Sequence, residues 1–168
     1  VQAEVEGKLQ TGGLRHTVLA GVESWRLFMG QDIRYSTLAS QPFAIDIHTP
    51  TYGQAPGNLT PGFDTRDRQR ATGLFVQDQM DLSERWKLLA GVRFDRYHQD
   101  YENRLNRAVQ TQSHSAATPR VGVTYLVNDR TSVYASAGRS FRPNTGADES
   151  GRALDPQEGK AFELGAKW

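Results

Sequence analysis

The sequence predicts an all-β chain, an antiparallel up-and-down transmembrane β-barrel segment of about seven strands, incomplete on its own. Three observations predict it. Apolar residues recur with period two over stretches of about a dozen residues, as on a strand with one apolar face. Short turns alternate with long connections, as in barrels with tight turns on one side of a membrane and loops on the other. The hydrophobic share is 37%, low for a soluble domain of 168 residues that must fill its own core.

The elements follow in order. Val1–Gln10 is the weakest strand. His16–Phe28 sets Val18, Ala20 and Val22 against Thr17, Gly21 and Glu23, with Leu19 breaking the polarity. Ala71–Leu82 sets Leu74, Val76, Met80 and Leu82 against Gly73, Gln77, Gln79 and Asp81; Asp78 interrupts the apolar face near a turn. Trp86, Leu88, Ala90, Val92 and Phe94 alternate with Lys87, Leu89, Gly91, Arg93 and Asp95. Pro119–Val127, Thr131–Phe141 and Lys160–Trp168 repeat the pattern. Short turns are expected at 11–15, 83–85 and 128–130, and long loops at 30–69, 101–117 and 142–159. Trp86 follows a turn directly, where an interfacial aromatic girdle would stand.

Composition removes several classes. A net charge of +1 gives no field for holding nucleic acid. There are no cysteines, hence neither disulfides nor thiolate metal ligands. No run approaches the ~18 apolar residues of a membrane helix, and Val1-Gln2-Ala3-Glu4 is no signal peptide. The histidines (16, 48, 98 and 114) lack zinc-helix spacing, and Ser113-His114-Ser115 is adjacency in sequence, with no triad implied. No enzyme and no metal site is expected. Two other classes fit the alternation: a soluble β-rich binding or adhesion module, and a passive porin. Strand length and uneven loops count against the first.

Several stretches resemble TonB-dependent siderophore receptors, most closely the ferrichrome-receptor (hydroxamate) type. They are His16–Glu23, Asp46–Gly53, Thr72–Gln79, Leu88–Asp95, Thr118–Val123, Tyr134–Ser136, Ser140–Asn144, Pro156–Lys160 and Glu163–Lys167. In Asp46–Gly53, His48 and Thr49 depart from the family's usual residues. Their order and spacing count against the porin. The resemblance implies that residues 1–168 are part of a receptor barrel of about 22 strands, in the outer membrane of a Gram-negative bacterium. It implies a plug domain and further strands outside this segment. It also implies a ferric siderophore, of hydroxamate type, as ligand, the TonB complex as partner through the missing N-terminal part, and outer-membrane lipid around the barrel. No cofactor is implied, since the iron arrives already chelated. The segment alone is expected neither to transport nor to bind a chelate tightly.

A chelate-binding mouth needs aromatic faces and orienting polar groups. The connection 30–69 supplies Tyr35, Phe43, His48, Tyr52 and Phe63, with Arg34 and Arg66. Tyr35, Tyr52 and Phe63 are the candidate siderophore contacts; the resemblance places a binding aromatic near Tyr35. His48 is expected to stabilise its loop. Asp67-Arg68-Gln69-Arg70 reads as a rim charge cluster or a solvated strand end. Arg93 and Asp95 face the lumen, and Arg139 and Arg142 are candidate lipopolysaccharide contacts.

Overall fold

The computed structural model describes residues 1–36, 45–53 and 59–168. Seven strands form one sheet in chain order: β1 Gln2–Thr11, β2 Leu14–Tyr35, β3 Thr60–Asp81, β4 Trp86–Asn103, β5 Ala108–Leu126, β6 Ser132–Arg142 and β7 Gln157–Lys167. Every pairing is antiparallel. The sheet stays open, with β1 and β7 at its edges.

The turns follow from local chemistry. Gly12 and Gly13 close the β1–β2 hairpin with φ of 57° and 90°, the left-handed pair that a two-residue turn requires. Ser83 Oγ accepts from the Trp86 N–H at 3.0 Å and starts β4. Asn128 Oδ1 accepts from the N–H groups of Arg130 and Thr131, both at 2.9 Å, a side chain standing in for a backbone turn.

The pairing register sorts side chains onto two faces. One carries Val18, Ala20 and Val22 of β2, Leu74 and Val76 of β3, and Leu88–Phe94 (alternate residues) of β4. It continues through Val121 and Val123 of β5, Ala135 and Ala137 of β6, and Phe162 and Leu164 of β7. Many of these are exposed, Phe162 at 82% and Leu164 at 84%. A continuous exposed apolar band of this kind is a lipid-facing surface. At its turn end Trp86 and Tyr125 meet with ring centroids 4.8 Å apart and planes at 44°, where an aromatic girdle is expected. The buried side chains are Tyr97, Thr65, Asp67, Gln69, Gln99 and Gln112, and all lie on the opposite face. That face is therefore the enclosed, inner one. Tyr97 is the sole buried hydrophobic residue among the described residues, so lipid takes the place of a core.

Two expectations are corrected. Sequence 30–69 contains the ends of β2 and β3, which run 22 residues each and leave a connection of 36–59. Sequence 101–117 contains the ends of β4 and β5, joined by a tight turn at 104–107 with Arg107 at φ 60°. A bilayer needs only ~9–11 residues of tilted strand. The strands continue beyond it because their N–H and C=O groups still pair with a neighbour, whatever the side chains. The polarity rule used to end them applies only inside lipid.

Candidate functional site

The apolar face of β2 changes sides where this strand leaves the membrane band. Along β2 the lipid-facing run Val18, Ala20, Val22 gives way to Ser24 and Arg26. On the inner face Thr17 and Glu23 give way to Trp25, Leu27, Met29 and Ile33. A shift of one residue in the hydrophobic period moves the apolar set to the other face. Above the band, the inner face of β2 is therefore aromatic and aliphatic. Trp25 meets Tyr97 of β4 with ring centroids 6.2 Å apart and planes at 52°. The Tyr97 hydroxyl is buried behind this pair and has no hydrogen-bond partner among the described residues.

Beside the apolar stripe runs a row of amides. Gln69, Gln99 and Gln112 stand opposite one another on β3, β4 and β5. Gln99 Nε2 donates to both Asp67 oxygens at 2.9 Å, and Gln69 Nε2 to Asp67 Oδ2 at 2.7 Å. Gln112 Nε2 donates to Gln99 Oε1 and, at 2.9 Å, to the Asn144 carbonyl in the β6–β7 connection. His114 Nε2 sits 2.9 Å from Gln112 Oε1. The row ties three strands and one loop into a single network. On the upper inner wall of β2–β5 Asp67 is the lone formal charge, and Arg142 at the end of β6 faces the same side. Below it, Arg93 is held by Asp95 at 2.8 Å on its own strand and by Glu23 at 3.0 Å across β3.

The sequence candidates divide. The β2–β3 ladder sets Ile33 opposite Phe63 and Tyr35 opposite Thr60, with a bulge between at Gly62. The Tyr35 ring lies over Gly62, so close that a Cβ there would overlap it. Tyr35 and Phe63 thus share the upper end of the wall, on strands where a loop was expected, each half-exposed. Tyr52 is exposed in the connection, and no strand pairing carries it to the wall. Phe43 lies outside the described residues. Nearby, Asp46 Oδ1 accepts from the His48 N–H at 2.8 Å and from the Thr49 N–H at 3.4 Å; these bonds hold its carboxyl below the usual range. The Asp67–Arg70 run splits: Asp67 and Gln69 are buried inside, while Arg68 and Arg70 point outward.

Sequence reasoning missed Trp25, Leu27, Met29, Tyr97 and the amide row. The signal for the first three was present, as the phase change between Val22 and Trp25. The amide row has no local signal, because it exists only across strands.

One constellation shares the connectivity of a hydrolase triad without its surroundings. Ser113 Oγ is 2.7 Å from His98 Nδ1, and His98 Nε2 is 3.1 Å from Asp100 Oδ2, the connectivity of a hydrolase triad. It lies mid-strand on the outward face, where backbone N–H groups are committed to the ladder and cannot form an oxyanion hole. Among the described residues no cluster of His, Asp and Glu is placed to hold a metal ion.

Comparison with known proteins accounts for this architecture. The family described as TonB dependent receptor-like, beta-barrel matches residues 2–168. The metal-pseudopaline receptor CntO of Pseudomonas aeruginosa is 40% identical over 99% of this chain and 24% of that protein. The ferrichrome outer membrane transporter/phage receptor of Escherichia coli K12 is 28% identical over 100% of the chain and 23% of its own length. The unliganded ferric citrate transporter FecA superposes with a TM-score of 0.79 at 19% identity, covering 98% of the chain and 24% of its own. The chain spans about a quarter of the length of the curated relatives it matches.

Proposed function

We propose, on the premise that the chain belongs to the TonB-dependent receptor β-barrel family, that it forms one wall of an outer-membrane receptor for a ferric siderophore. Barrels of this family stand in the outer membrane of Gram-negative bacteria. The parts that couple to TonB, and the plug, belong to the remainder of the receptor. Residues 1–168 contribute barrel wall alone.

The observation that carries the substrate reading is the upper inner wall. Across β2–β5 it offers apolar faces at Trp25, Leu27, Met29, Ile33 and Phe63, amides at Gln69, Gln99 and Gln112, and one charge, at Asp67. Three hydroxamates neutralise ferric iron, so their chelate is an apolar body with carbonyl edges and little net charge. Such a body fits apolar faces with a few directed hydrogen bonds. Against a polyanionic chelate, the upper wall of β2–β5 offers no cation to offset its desolvation. Tyr35 and Phe63 are proposed contacts at its upper end; Tyr52 is a proposed contact from the connection.

The 40% identity to a metal-pseudopaline receptor favours a second reading, a metal–pseudopaline complex as ligand. One growth experiment separates the two. A strain lacking its own receptors is complemented with the full gene and fed single chelates under iron restriction. Growth on ferrioxamine B or ferrichrome that is lost without TonB supports the first reading. Growth restricted to metal–pseudopaline supports the second.

A further inference from the structure

The ladder between β5 and β6 is short. β5 pairs with β4 from Ala108, opposite Asn103, to Tyr125, opposite Trp86. On its other side it pairs with β6 only from Arg120 to Leu126. β6 itself pairs with β7 as far as Arg142, opposite Gln157. Above the Arg120–Gly138 pair the wall therefore divides, with the β4–β5 hairpin on one side and the β6–β7 arm on the other. Prolines account for the division. Pro119 stands next on β5 and Pro143 follows β6, and neither has an N–H with which to continue the ladder. In the receptor proposed above, the edges of β1 and β7 meet further barrel strands. β5 and β6 are consecutive neighbours, so no further barrel strand enters between them.

The edge left open presents a definite set of groups. At the turn end the Leu126 N–H donates to the Arg85 carbonyl on the β4 side, and the Val127 N–H to the Thr131 carbonyl on the β6 side, both at 2.9 Å. Alternate residues of a strand turn their N–H and C=O to opposite neighbours. The β4–β5 register runs without a shift, so the odd-numbered residues of β5 face the opening: Ala117, Ser115, Ser113, Thr111 and Val109. They span about 27 Å of edge, more than the usual strand. Among the described residues no backbone group bonds them from that side. The β6–β7 connection reaches β5 through the Gln112 side chain instead.

Open edges are normally guarded by charge, by proline or by a covering element. Residues 108–118 hold no Lys, Arg, Asp, Glu or Pro. Across the opening, the paired ends of β6 and β7 carry Arg139, Arg142 and Lys160 against a single acid, Glu158. None of these cations has a salt bridge among the described residues. An unguarded, uncharged edge beside a basic arm is matched by an extended peptide with acidic side chains, which adds as a strand through its backbone. We propose that the open upper edge of β5 receives such an acidic peptide strand from a partner protein outside the cell. The inference rests on the membrane orientation of the proposed receptor, since the opening starts directly above the last apolar pair, Val121 and Ala137.

The test uses the full-length receptor in a neutral detergent and a labelled synthetic peptide as probe. The peptide is blocked at both ends, alternates threonine with valine over about ten residues, and carries aspartate near each end. Fluorescence polarisation should show saturable binding in the micromolar range. A twin N-methylated at every central residue keeps the side chains and loses the backbone donors, and should bind at least about tenfold more weakly. A twin with lysine for aspartate should bind several-fold more weakly, and Arg139→Gln/Arg142→Gln should abolish that preference. Ser115→Pro/Ala117→Pro strips N–H groups from the open edge and leaves the β4 ladder intact, as Pro119 already does. It should bind about tenfold more weakly, whereas Ser115→Val/Ala117→Val should bind as the parent does. Equal binding of the N-methylated twin, parental binding by the proline variant, or equal affinity for the aspartate and lysine peptides overturns the proposal. No binding of the aspartate peptide also overturns it, in favour of an opening filled by the receptor's own loops. Folding is checked by the heat-dependent gel mobility of barrels. If the proline variant lacks it, the N-methylated twin on the unaltered receptor decides. Growth on a ferric chelate is scored separately, so failure of the receptor reading is seen independently of the peptide result.

Discussion

Trp25 of β2 and Tyr97 of β4 meet on the inner face across the strand that separates them, with ring centroids 6.2 Å apart and planes tilted by 52°. Neither ring is where the band's alternation would put an apolar residue. Tyr97 is buried and Trp25 is partly exposed, so the indole presents its free face to the mouth. In the full receptor, Trp25→Ala should weaken binding of the transported chelate by about tenfold, the value of one aromatic face at ~1.4 kcal/mol. Barrel heat stability should change little. Fluorescence quenching titration checks the first expectation; unchanged affinity would remove Trp25 from the site.

Asp67 holds the amide row together. Gln69 and Gln99 both donate to it, and all three side chains are buried. Asp67→Ala leaves two buried amide groups unpaired, at a cost of about 1–3 kcal/mol each before relaxation. Asp67→Asn keeps an acceptor and should cost less than Asp67→Ala. The temperature at which the folded gel band disappears measures both, and the order Ala below Asn below parent is expected.

The β6–β7 connection has its own acid. Asp148 Oδ1 accepts from the Ser150 hydroxyl at 2.7 Å and from the Ser150 and Arg152 N–H groups at 2.9 Å. The Ser150 hydroxyl first, then the Arg152 N–H, hold its carboxyl below the ordinary carboxylate pKa. A carboxyl depressed in the folded loop contributes fully above its ordinary value, near ~3.9, and loses that contribution as pH falls through the folded value. Protease cleavage within 145–155 should therefore be slow and flat from neutrality down to about pH 4, and accelerate below it, where an acid-active protease such as pepsin can report. Asp148→Ala should cleave fast at every pH.

The membrane half of the fold was readable because lipid enforces strict alternation: Leu74, Val76, Val92 and Phe94 had to share a face. Outside the band that constraint disappears. The ends of β2–β5 therefore read as loops, although ladder pairing extends them. Tyr35 and Phe63 were recognisable as aromatics of the 30–69 stretch. Their neighbourhood on one wall was not, since it depends on the bulge at Gly62. Gln69, Gln99 and Gln112 lie far apart in sequence and carry no pattern of their own. Only the register of three strands makes them a row.

The polarity of β2 inverts at the membrane edge, with lipid outside below it and ligand inside above it. Residues 1–168 hold no cysteine, so a cysteine placed there is the one thiol of this segment, and any native cysteine elsewhere in the receptor is first replaced by serine. Met29→Cys and Phe94→Cys, each in the full receptor on intact cells, are treated with a membrane-impermeant maleimide with and without the chelate that supports growth. Met29→Cys should label, and the chelate should slow labelling about tenfold or more, the mark of a ligand covering the wall. Phe94→Cys should resist the aqueous reagent and react only with a lipid-soluble one. Ready aqueous labelling at position 94, together with chelate-independent labelling at position 29, would contradict the account.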